Sequence, residues 1–458
     1  MAEMQILKVE FKGELRRLRV SLPKEASAGE TFQTIQEAIK NGFGWNHDSE
    51  ITLKYKDEEA DLCVLVEETV EDFLAQFAKG SLRLYASMVN PGFQVSVVRP
   101  GLKSKARAGE LEKVVVIGSG NWGSTAARIV AQNTMKHDDF DDEVNMWVYE
   151  EMVDGRKLSE IINEKHENVK YLPGIYLGKN VKAVPDLSRA VEGASMLVFV
   201  TPHQFIKGLC PQIKGSMRPG ARAISLIKGM DVTVDGFQLI SGLIKQELGI
   251  DCSALMGANI AMEIAMEKFS EATVGYTKGK KKSGELWQRA FHTSYFHVTA
   301  VPDVAGCELC GTLKNIVAIG AGFTDGLGYG SNTKAAIMRI GLAEMRKLAQ
   351  ECFSTVQSET FFESCGVADV ITTCLSGRNR ACAMKFAENI IAGTPKTWEE
   401  LEAELLKGQK LQGVLTSHEV QAVLERRGIV DKFPLFTTIN RICTGEVRPE
   451  EIVNYLEA

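Results

Sequence analysis

The chain has 458 residues, of which 45% are hydrophobic and 24% are charged, and its formal net charge is −6. This length predicts two or three domains, and the acidic balance argues against a protein that binds nucleic acid through a basic surface. The sequence has no apolar run of the roughly 18–20 residues that a membrane span needs. It also has no signal-peptide pattern and ten scattered cysteines, so we expect a cytoplasmic protein.

The first 86 residues predict a small α+β domain of their own. Alternating apolar residues indicate two strands joined by a short turn, and an amphipathic helix follows them. The predicted elements are, in chain order, strands 6–11 and 15–22, helix 31–41, strands 51–55 and 62–66, helix 71–77 and strand 82–85. This order is typical of a ubiquitin-like fold.

The charged residues of this domain are segregated along the chain. Basic residues cluster in the first two predicted strands, and acidic residues follow Tyr55. The segment Leu53-Lys-Tyr-Lys-Asp-Glu-Glu-Ala-Asp61 resembles the acidic signature of the Phox/Bem interaction-domain family. The resemblance implies head-to-tail self-association or a related protein partner. The alternative is two solvated charged surfaces, because exposed ion pairs stabilise little. The implied interaction face consists of Lys8, Arg16 and Arg17 on the basic side and Asp57, Glu59 and Asp61 on the acidic side.

Residues 87–111 predict a polar linker, and a dinucleotide-binding motif follows it. Four apolar residues at 114–117 indicate a buried parallel strand, and 124–132 indicates a helix. Between them Gly118, Gly120 and Gly123 have the G-x-G-x-x-G spacing. In such a loop the glycines permit a tight turn, backbone approach to a pyrophosphate, and close packing of helix on strand. The segment therefore predicts an anion site at a helix N-terminus.

Strands and helices alternate up to residue 301. This alternation predicts a Rossmann-type, doubly wound parallel sheet over 112–301, with further strands at 144–149, 196–200, 222–227 and 253–256. Glu150 and Glu151 end the second strand, where an acid normally receives the ribose hydroxyls of NAD. Phe205 and Lys228 follow later strands and so fall on the ligand side of the sheet. Beyond Pro302 the pattern is helical, so we expect an all-helical domain over 302–458 and a site in the cleft between the two domains.

The predicted helix around Lys314 carries a lysine and an asparagine among small and apolar residues. An unpaired buried charge is costly, so a partner or a ligand is implied. The alternatives are a solvated lysine on an exposed turn and a structural ion pair with an acid such as Asp369. Cys307 and Cys310, on the same helix, are interpreted as packing thiols rather than as a metal or redox pair, and no metal site is expected.

Seven motifs occur in an order that resembles one family, over about residues 112–458. It is the NAD-dependent cytosolic glycerol-3-phosphate dehydrogenase family, and the resemblance implies reversible reduction of dihydroxyacetone phosphate by NADH to sn-glycerol 3-phosphate. It also implies a homodimer or larger homo-oligomer. The motifs are Gly118-Ser-Gly-Asn-Trp-Gly123, Val200-Thr-Pro-His-Gln-Phe205, Leu226-Ile-Lys-Gly229, Met256-Gly-Ala-Asn-Ile-Ala261, Leu313-Lys-Asn-Ile316, Gly366-Val-Ala-Asp369 and Gly377-Arg-Asn-Arg380.

The same resemblance implies a role for each matching residue. The implied catalytic residues are Lys314, Lys228, Asp369 and Thr373. The implied substrate-binding residues are Asn259, Asn315, Arg378 and Asn379, of which Arg378 and Asn379 would hold the phosphate. The implied NAD-binding residues are Gly118, Ser119, Gly120, Asn121, Trp122, Gly123, Tyr149, Phe205, Lys228, Ala261, Arg378, Lys410 and Gln412.

The chemistry of ketone reduction fits these residue types. Hydride transfer builds negative charge on the carbonyl oxygen, and a lysine ammonium can stabilise that charge and donate the proton. Two alternatives stay open: a scaffold that assembles through its N-terminal domain around a catalytically silent dehydrogenase body, and another two-domain dehydrogenase that acts on a hydroxy acid or an acyl thioester.

Overall fold

The computed structural model describes residues 2–11, 14–23, 27–43, 51–56, 62–65, 73, 83–88, 111–233, 236–406 and 411–456. The chain divides into two compact units, Met1–Leu102 and Lys103–Ala458.

The first unit is a five-stranded sheet packed against a helix. Its elements are β1 (Ala2–Phe11), β2 (Glu14–Pro23), α1 (Ala28–Phe43), β3 (Ile51–Lys56), β4 (Leu62–Leu65) and β5 (Arg83–Met88). The strand order is β2-β1-β5-β3-β4, in which β1 and β5 are parallel and the other neighbours are antiparallel. Ile35 and Ile39 lie one helical turn apart on α1 and are buried against Val9 and Leu53, so one apolar face of the helix closes the sheet. The predicted helix 71–77 lies outside the described residues except for Phe73, which is buried.

The second unit contains the remaining elements. Its strands are β6 (Val114–Ile117), β7 (Val144–Trp147), β8 (Met152–Val153), β9 (Arg156–Lys157), β10 (Val181–Val184), β11 (Met196–Phe199), β12 (Arg222–Ser225), β13 (Met230–Thr233), β14 (Gly236–Leu239), β15 (Asp251–Met256), β16 (Ser270–Gly275) and β17 (Phe296–Val301). Its helices are α2 (Asn121–Thr134), α3 (Leu158–Lys165), α4 (Leu187–Ala190), α5 (Ile206–Ile213), α6 (Ile240–Leu248), α7 (Ala261–Ala265), α8 (Lys281–Phe291), α9 (Val304–Gly326), α10 (Ser331–Cys352), α11 (Asp369–Ser376), α12 (Arg378–Ile391), α13 (Trp398–Leu405), α14 (Gln412–Arg427) and α15 (Pro434–Thr444).

A mixed eight-stranded sheet, in the order β10-β7-β6-β11-β12-β15-β16-β17, organises the first half of this unit. The strands from β10 to β15 are parallel, as in the predicted Rossmann-like fold. The prediction of a parallel sheet is wrong at the other edge, where β16 runs antiparallel to β15 and β17 runs parallel to β16. The helix between β15 and β16, α7, has five residues and spans about 8 Å. That is much less than the roughly 20 Å of the six-residue strand β15, so α7 does not carry the chain back across the sheet.

The helical half is built around α9, which is buried on all sides. The expectation that no stretch is long and apolar enough to cross a membrane is wrong for this helix, which alone among the described residues meets both conditions, but 94% of its apolar window is buried inside the protein. It is therefore the core helix of this half. Gly322 and Gly326 let α12 pack closely against it, because a Cβ at either position would collide with a carbonyl oxygen of α12.

Residues from both halves meet at the carboxyl edge of the parallel strands. Ligands of such sheets bind beyond that edge, and α9 brings Lys314 to it from the helical half. The fold thus places the predicted site inside the second unit, where the sheet meets the helices.

Candidate active site

The glycine loop joins β6 to α2 at this edge. Gly118 has φ +123°, a conformation that residues with a side chain rarely adopt. A Cβ on Gly123 would collide with the Gly118 carbonyl, so glycine is required for the helix to approach the strand. A Cβ on Gly120 would meet nothing within 4 Å, and Gly120 precedes α2 without a side-chain cap. The loop therefore leaves space and uncapped helix N–H groups for an anion.

The other residues of the loop differ in their surroundings. Ser119 is buried, and its carbonyl accepts a hydrogen bond from Asn168 Nδ2 at 2.8 Å. Asn121 is exposed at the first position of α2. The Trp122 ring packs edge-on against Phe296, with ring centroids 6.2 Å apart, so its side chain has a packing partner in the protein.

Two large side chains are exposed beyond strand ends of the parallel sheet. Tyr149 follows β7 and is 71% exposed, and Phe205 follows β11 and is 54% exposed. Exposed rings of this size are available to pack on a planar ligand.

The two acids at the end of the second strand already have protein partners. Glu150 accepts hydrogen bonds from the Oγ (2.6 Å) and the backbone N–H (3.2 Å) of Ser159. Glu151 pairs with Lys170 and accepts a hydrogen bond from Tyr171 Oη at 2.6 Å. The hydrogen bond with Lys170 and then the one with Tyr171 lower the pKa of Glu151. Both carboxylates are therefore engaged within the half that contains the sheet, and their predicted role at a ribose stays a prediction.

Lys314, Lys228, Asp369 and Thr373 form one hydrogen-bonded group. Lys314 Nζ lies 2.5 Å from Asp369 Oδ1 and 2.5 Å from Thr373 Oγ1. Lys228 Nζ lies 2.8 Å from the other carboxylate oxygen, Asp369 Oδ2. With two ammonium groups and one carboxylate, this group carries a net positive charge when both lysines are protonated.

Burial and charge act together on Lys314. Its side chain is 9% exposed, whereas that of Lys228 is 29% exposed. Burial, together with the neighbouring Lys228 charge, lowers the pKa of Lys314 to about 8, although Asp369 opposes the shift. Lys314 can therefore both give up and take up a proton near neutral pH. The interpretation of Lys314 as a solvated lysine on an exposed turn is wrong.

Lys228 and Asp369 are placed by the ends of elements, whereas Lys314 is placed by the middle of α9. Lys228 follows β12 at the carboxyl edge of the sheet, and its ammonium also donates to the Gly257 carbonyl at 2.8 Å. Asp369 is the first residue of α11 and directly follows a π-helical turn, Ser364–Ala368. Such turns are uncommon and often lie at functional sites. Thr373, one helical turn along α11, completes the group.

The predicted substrate-binding asparagines are linked to one another. Asn379 Nδ2 donates to Asn315 Oδ1 at 2.9 Å, and the Gly413 N–H donates to Asn379 Oδ1 at 2.9 Å. These bonds join α9, α12 and α14 beside Lys314. Gln412, the first residue of α14, lies next to Gly413 in the chain.

Gly377 is the single residue between α11 and α12. Gly377 caps α12 on its N-terminal side, and Arg378 is already the first residue of that helix. Ser376, Gly377 and Asn379 are all residue types that cap helices, so residue type alone did not indicate where the helix starts. Arg378 is exposed at this helix N-terminus, where an anion is favoured. Lys410 lies outside the described residues.

Asn259 and Ala261, the remaining predicted site residues, both form hydrogen bonds with other elements of the sheet-containing half. Asn259 Nδ2 donates to the Glu271 carbonyl of β16 at 2.9 Å. The Ala261 carbonyl accepts a hydrogen bond from Thr125 Oγ1 of α2 at 3.3 Å, which places Ala261 beside the helix that follows the glycine loop.

Sequence analysis did not single out Asp303, which orients the helix that carries Lys314. Its Oδ1 caps α9 by accepting from the Gly306 N–H at 2.8 Å. Its Oδ2 accepts from the Gln357 N–H at 2.8 Å and from Thr360 Oγ1 at 2.7 Å. An aspartate that directly follows a proline and precedes an apolar helix is an N-cap signal.

Comparisons with known proteins show the family of this chain. Residues 113–282 match the NAD-dependent glycerol-3-phosphate dehydrogenase N-terminus, and residues 303–454 match the C-terminus of the same family. The chloroplastic glycerol-3-phosphate dehydrogenase (NAD+) 1 of Arabidopsis thaliana is 58% identical over 346 residues, which cover 75% of this chain and 86% of that protein. The cytoplasmic enzyme of Rattus norvegicus is 53% identical over 333 residues, which cover 72% and 93%.

A solved structure, that of DsGPDH from Dunaliella salina, is 54% identical with a TM-score of 0.70 over 76% of this chain. This chain spans 60% of the length of that Dunaliella chain. The chain belongs to the NAD-dependent glycerol-3-phosphate dehydrogenase family.

Proposed function

We propose that this chain catalyses the reversible, NAD-dependent reduction of dihydroxyacetone phosphate to sn-glycerol 3-phosphate. The observation that carries the proposal is the buried ammonium of Lys314, held by Asp369 and Thr373 beside the charge of Lys228. The relatives from Arabidopsis and rat, which are named for this dehydrogenase, support the same reaction.

The residues of the glycine loop fit a dinucleotide. Gly120 leaves room where a side chain would otherwise stand, and the N-terminus of α2 offers N–H groups to a pyrophosphate. Tyr149 and Phe205 are exposed where the flat parts of the cofactor would pack. NAD, when bound, supplies or accepts the hydride.

Lys314 performs the proton chemistry in this proposal. As the ketone is reduced, negative charge develops on its carbonyl oxygen, and the ammonium stabilises this charge and then donates a proton to it. In the reverse direction the neutral amine takes the proton from the alcohol. Asp369 and Thr373 hold the amine in place, so little reorganisation is needed when the charge develops. Lys228 adds positive charge on the other oxygen of the same carboxylate, where its ammonium binds Asp369 and the Gly257 carbonyl.

The phosphate group of the substrate binds at the start of α12 in this proposal. Arg378 stands at the helix N-terminus, and its planar guanidinium matches a phosphate better than an ammonium would. Asn379, next to Arg378 in the chain, is hydrogen-bonded to Asn315, next to Lys314, and this link supports a substrate whose phosphate is near Arg378 and whose reacting carbon is near Lys314. The binding energy of the phosphate then orients the ketone.

An assay with the full chain tests the reaction. We expect NADH fluorescence to fall when dihydroxyacetone phosphate is added and to rise when NAD+ and sn-glycerol 3-phosphate are mixed with the protein. A folded protein that neither reduces dihydroxyacetone phosphate nor oxidises sn-glycerol 3-phosphate would support the scaffold alternative. Turnover of a hydroxy acid or an acyl thioester in place of the phosphorylated ketone would support the other dehydrogenase.

We further propose that residues 1–86 form a ubiquitin-like, Phox/Bem-type interaction domain, followed by a linker at 87–111, a nucleotide-binding domain at 112–301 and a helical domain at 302–458. Two observations support the first domain. One is a five-stranded sheet of order β2-β1-β5-β3-β4 with one helix packed against it, which supports a fold of this class. Lys8 of β1 also stands opposite Arg17 of β2, so the basic residues occupy adjoining strands. The acidic partners in the proposal, Asp57, Glu59 and Asp61, lie outside the described residues.

Sedimentation of the full chain tests this interaction. Charge-mediated head-to-tail assembly should weaken as salt rises, because exposed charges are screened within about 10 Å at 0.1 M ionic strength. The Arg16→Ala/Arg17→Ala variant should assemble less at low salt, whereas Arg339→Ala, an exposed change on α10, should not. A monomer at every salt concentration would contradict both self-association and the proposed homo-oligomer.

For location we propose the cytoplasm. The described cysteines are all free, as is usual in a reducing compartment, and the rat relative is cytoplasmic whereas the Arabidopsis relative is chloroplastic. Imaging of a tagged full-length chain in its own cells distinguishes the two compartments, and a plastid signal would overturn the proposal.

A further inference from the structure

Asp325 lies near the C-terminal end of α9 and joins this helix to the starts of α10 and α12. Its Oδ2 accepts a hydrogen bond from Lys334 Nζ of α10 at 2.7 Å and another from Arg380 Nε of α12 at 2.5 Å. None of these three side chains is more than 24% exposed. Asp325 follows Lys314 by about three helical turns, so both side chains leave the same face of α9. The carboxylate therefore ties the helix that carries Lys314 to two neighbouring helices.

The charges of this ion-pair group are the reverse of those that helix ends favour. A helix N-terminus favours anions and a C-terminus favours cations. Arg380 is the third residue of α12 and Lys334 is the fourth residue of α10, and neither helix has an acidic residue in its first turn. The acid, Asp325, lies in the last turn of α9. A sequence that breaks a local rule at three neighbouring helix ends is expected where function, rather than helix stability, sets the residue types.

The first turn of α12 is attached to α9 at three points. Arg380 follows Arg378 by two residues in this turn, and its side chain makes the ion pair with α9. Asn379, between them, donates to Asn315 Oδ1 of α9 at 2.9 Å. The backbone is also close, because a Cβ on Gly322 would lie 2.4 Å from the Arg380 carbonyl oxygen. Each attachment restrains a different atom of the turn, so the loss of one allows Arg378 to shift while the helix stays packed.

We propose that Asp325 is a positioning residue for the phosphate of the substrate. It holds Arg380, and Arg380 holds the first turn of α12, so that Arg378 stands in a fixed place at the start of the helix. Asp325 acts through these residues rather than by contact, because its carboxylate would repel a phosphate and lies about 16 Å along α9 from Lys314. This role rests on the proposed function, since it concerns the phosphate of that substrate.

Kinetics of the full chain with two substrates test this role. Asp325→Asn and Arg380→Gln should each lower kcat/KM for dihydroxyacetone phosphate by about tenfold, because a misplacement of 1 Å far from the reacting atoms can cost about 100-fold. Dihydroxyacetone, which lacks the phosphate, should react equally with the wild type and both variants. Calorimetry should show about tenfold weaker binding of sn-glycerol 3-phosphate and unchanged binding of NADH. A residue that only supported the fold would affect both substrates alike.

A double-mutant cycle tests whether Asp325 acts through Arg380. In that case the double variant Asp325→Asn/Arg380→Gln should lose no more kcat/KM than either single variant. Lys334→Gln is the matched control, because it removes the other cation of the same carboxylate and leaves α12 attached; its kcat/KM should stay within about twofold of the wild type. Losses that multiply in the double variant, or a tenfold loss in Lys334→Gln, overturn the role through Arg380.

The results separate this role from the proposed function. A wild-type chain that does not reduce dihydroxyacetone phosphate overturns the reaction and the role of Asp325 together. An active wild type whose Asp325→Asn and Arg380→Gln variants are unchanged, or lose the same factor with both substrates, overturns the role alone and leaves the reaction standing. Asp139→Asn, which breaks an ion pair with Arg289 at 2.6 Å, shows what the loss of a carboxylate elsewhere does to the unfolding temperature and the rate.

Discussion

Lys228 and Lys314 bind the two oxygens of a single carboxylate, that of Asp369, at 2.8 and 2.5 Å. One lysine reaches it from the end of a strand and the other from the middle of the core helix, so the carboxylate joins the two halves of the second unit. Asp369 is 2% exposed and cannot neutralise both ammonium groups. The surplus positive charge is therefore available to stabilise a developing alkoxide.

Replacing Lys314 should abolish turnover without unfolding the protein. Lys314→Met removes a preorganised donor, which costs roughly 10²–10³ in rate. The methionine fills a similar volume and removes a buried charge, and Asp369 keeps Lys228 as a partner, so the unfolding temperature should not fall. Steady-state kinetics with dihydroxyacetone phosphate measure the turnover, an NADH titration measures cofactor binding, and thermal unfolding measures the stability. Near-normal turnover would refute the role of Lys314, and lost NADH binding would assign it to the cofactor instead.

The pH dependence of the two directions should be opposite. Burial and the Lys228 charge lower the pKa of Lys314 to about 8. Reduction needs the ammonium and should decline as pH rises through about 8, whereas oxidation of glycerol 3-phosphate needs the neutral amine and should rise there. Lys228→Met removes the neighbouring positive charge, which raises the pKa of Lys314 and moves both transitions to higher pH.

Rate profiles in both directions measure this shift. Lys245→Met, a change of an exposed lysine on α6, is the control and should leave the transitions in place. If Lys228→Met lowers the rate but leaves the pH of both transitions unchanged, Lys314 is not the titrating group.

Buried elements and buried charges could be predicted from the residue types along short stretches of the chain. The strand Val114–Ile117 has the predicted bounds, because a strand covered on both faces is apolar at every position. Lys314 stood out for the opposite reason, as a charge within an apolar helix. Both signals lie in the types of neighbouring residues along the chain.

Other features depend on partners that are distant in sequence, and patterns do not reveal them. The Gly257 carbonyl that binds Lys228 is a backbone atom, which no side-chain pattern marks. The reversal of β16 depends on how far a five-residue helix carries the chain. The link from Asn315 through Asn379 to the Gly413 N–H spans three helices, and residues that are distant in sequence form it, so no local pattern indicates which groups pair.

Replacing Arg378 should impair the reaction of the phosphorylated substrate and not that of the unphosphorylated one. Arg378→Lys retains the charge but loses the planar fork, so kcat/KM for dihydroxyacetone phosphate should fall by roughly 10–100-fold. Dihydroxyacetone without its phosphate should be a poor substrate for both proteins and should react equally with each. Arg339→Lys on α10 makes the same chemical change at an exposed position and serves as the control. An equal loss with both substrates would mean that Arg378 supports the fold rather than the phosphate.

Glu308 should make the stability of the fold depend on pH. It lies on α9, is fully buried, and accepts the N–H groups of Ile240 (2.5 Å) and Ser241 (3.3 Å) at the start of α6. Burial raises the pKa of Glu308 to about 7, although the hydrogen bonds from Ser241 and Ile240 oppose the shift. Because the folded-state pKa lies above the unfolded value near 4.5, the protonated carboxyl stabilises the fold at low pH. This contribution is complete below about pH 4.5 and is lost as pH rises through about 7.

Glu308→Gln removes the titration and keeps one acceptor oxygen for α6. The difference in unfolding free energy between the variant and the wild type should therefore shift in favour of the variant as pH rises, by about 3 kcal/mol between pH 4.5 and 8. Urea unfolding at a series of pH values measures this difference. Glu285→Gln on α8, where the side chain is 53% exposed, should show no such trend. A difference that does not change with pH would mean that Glu308 stays ionised in the folded protein, stabilised by the N-terminus of α6 despite its burial.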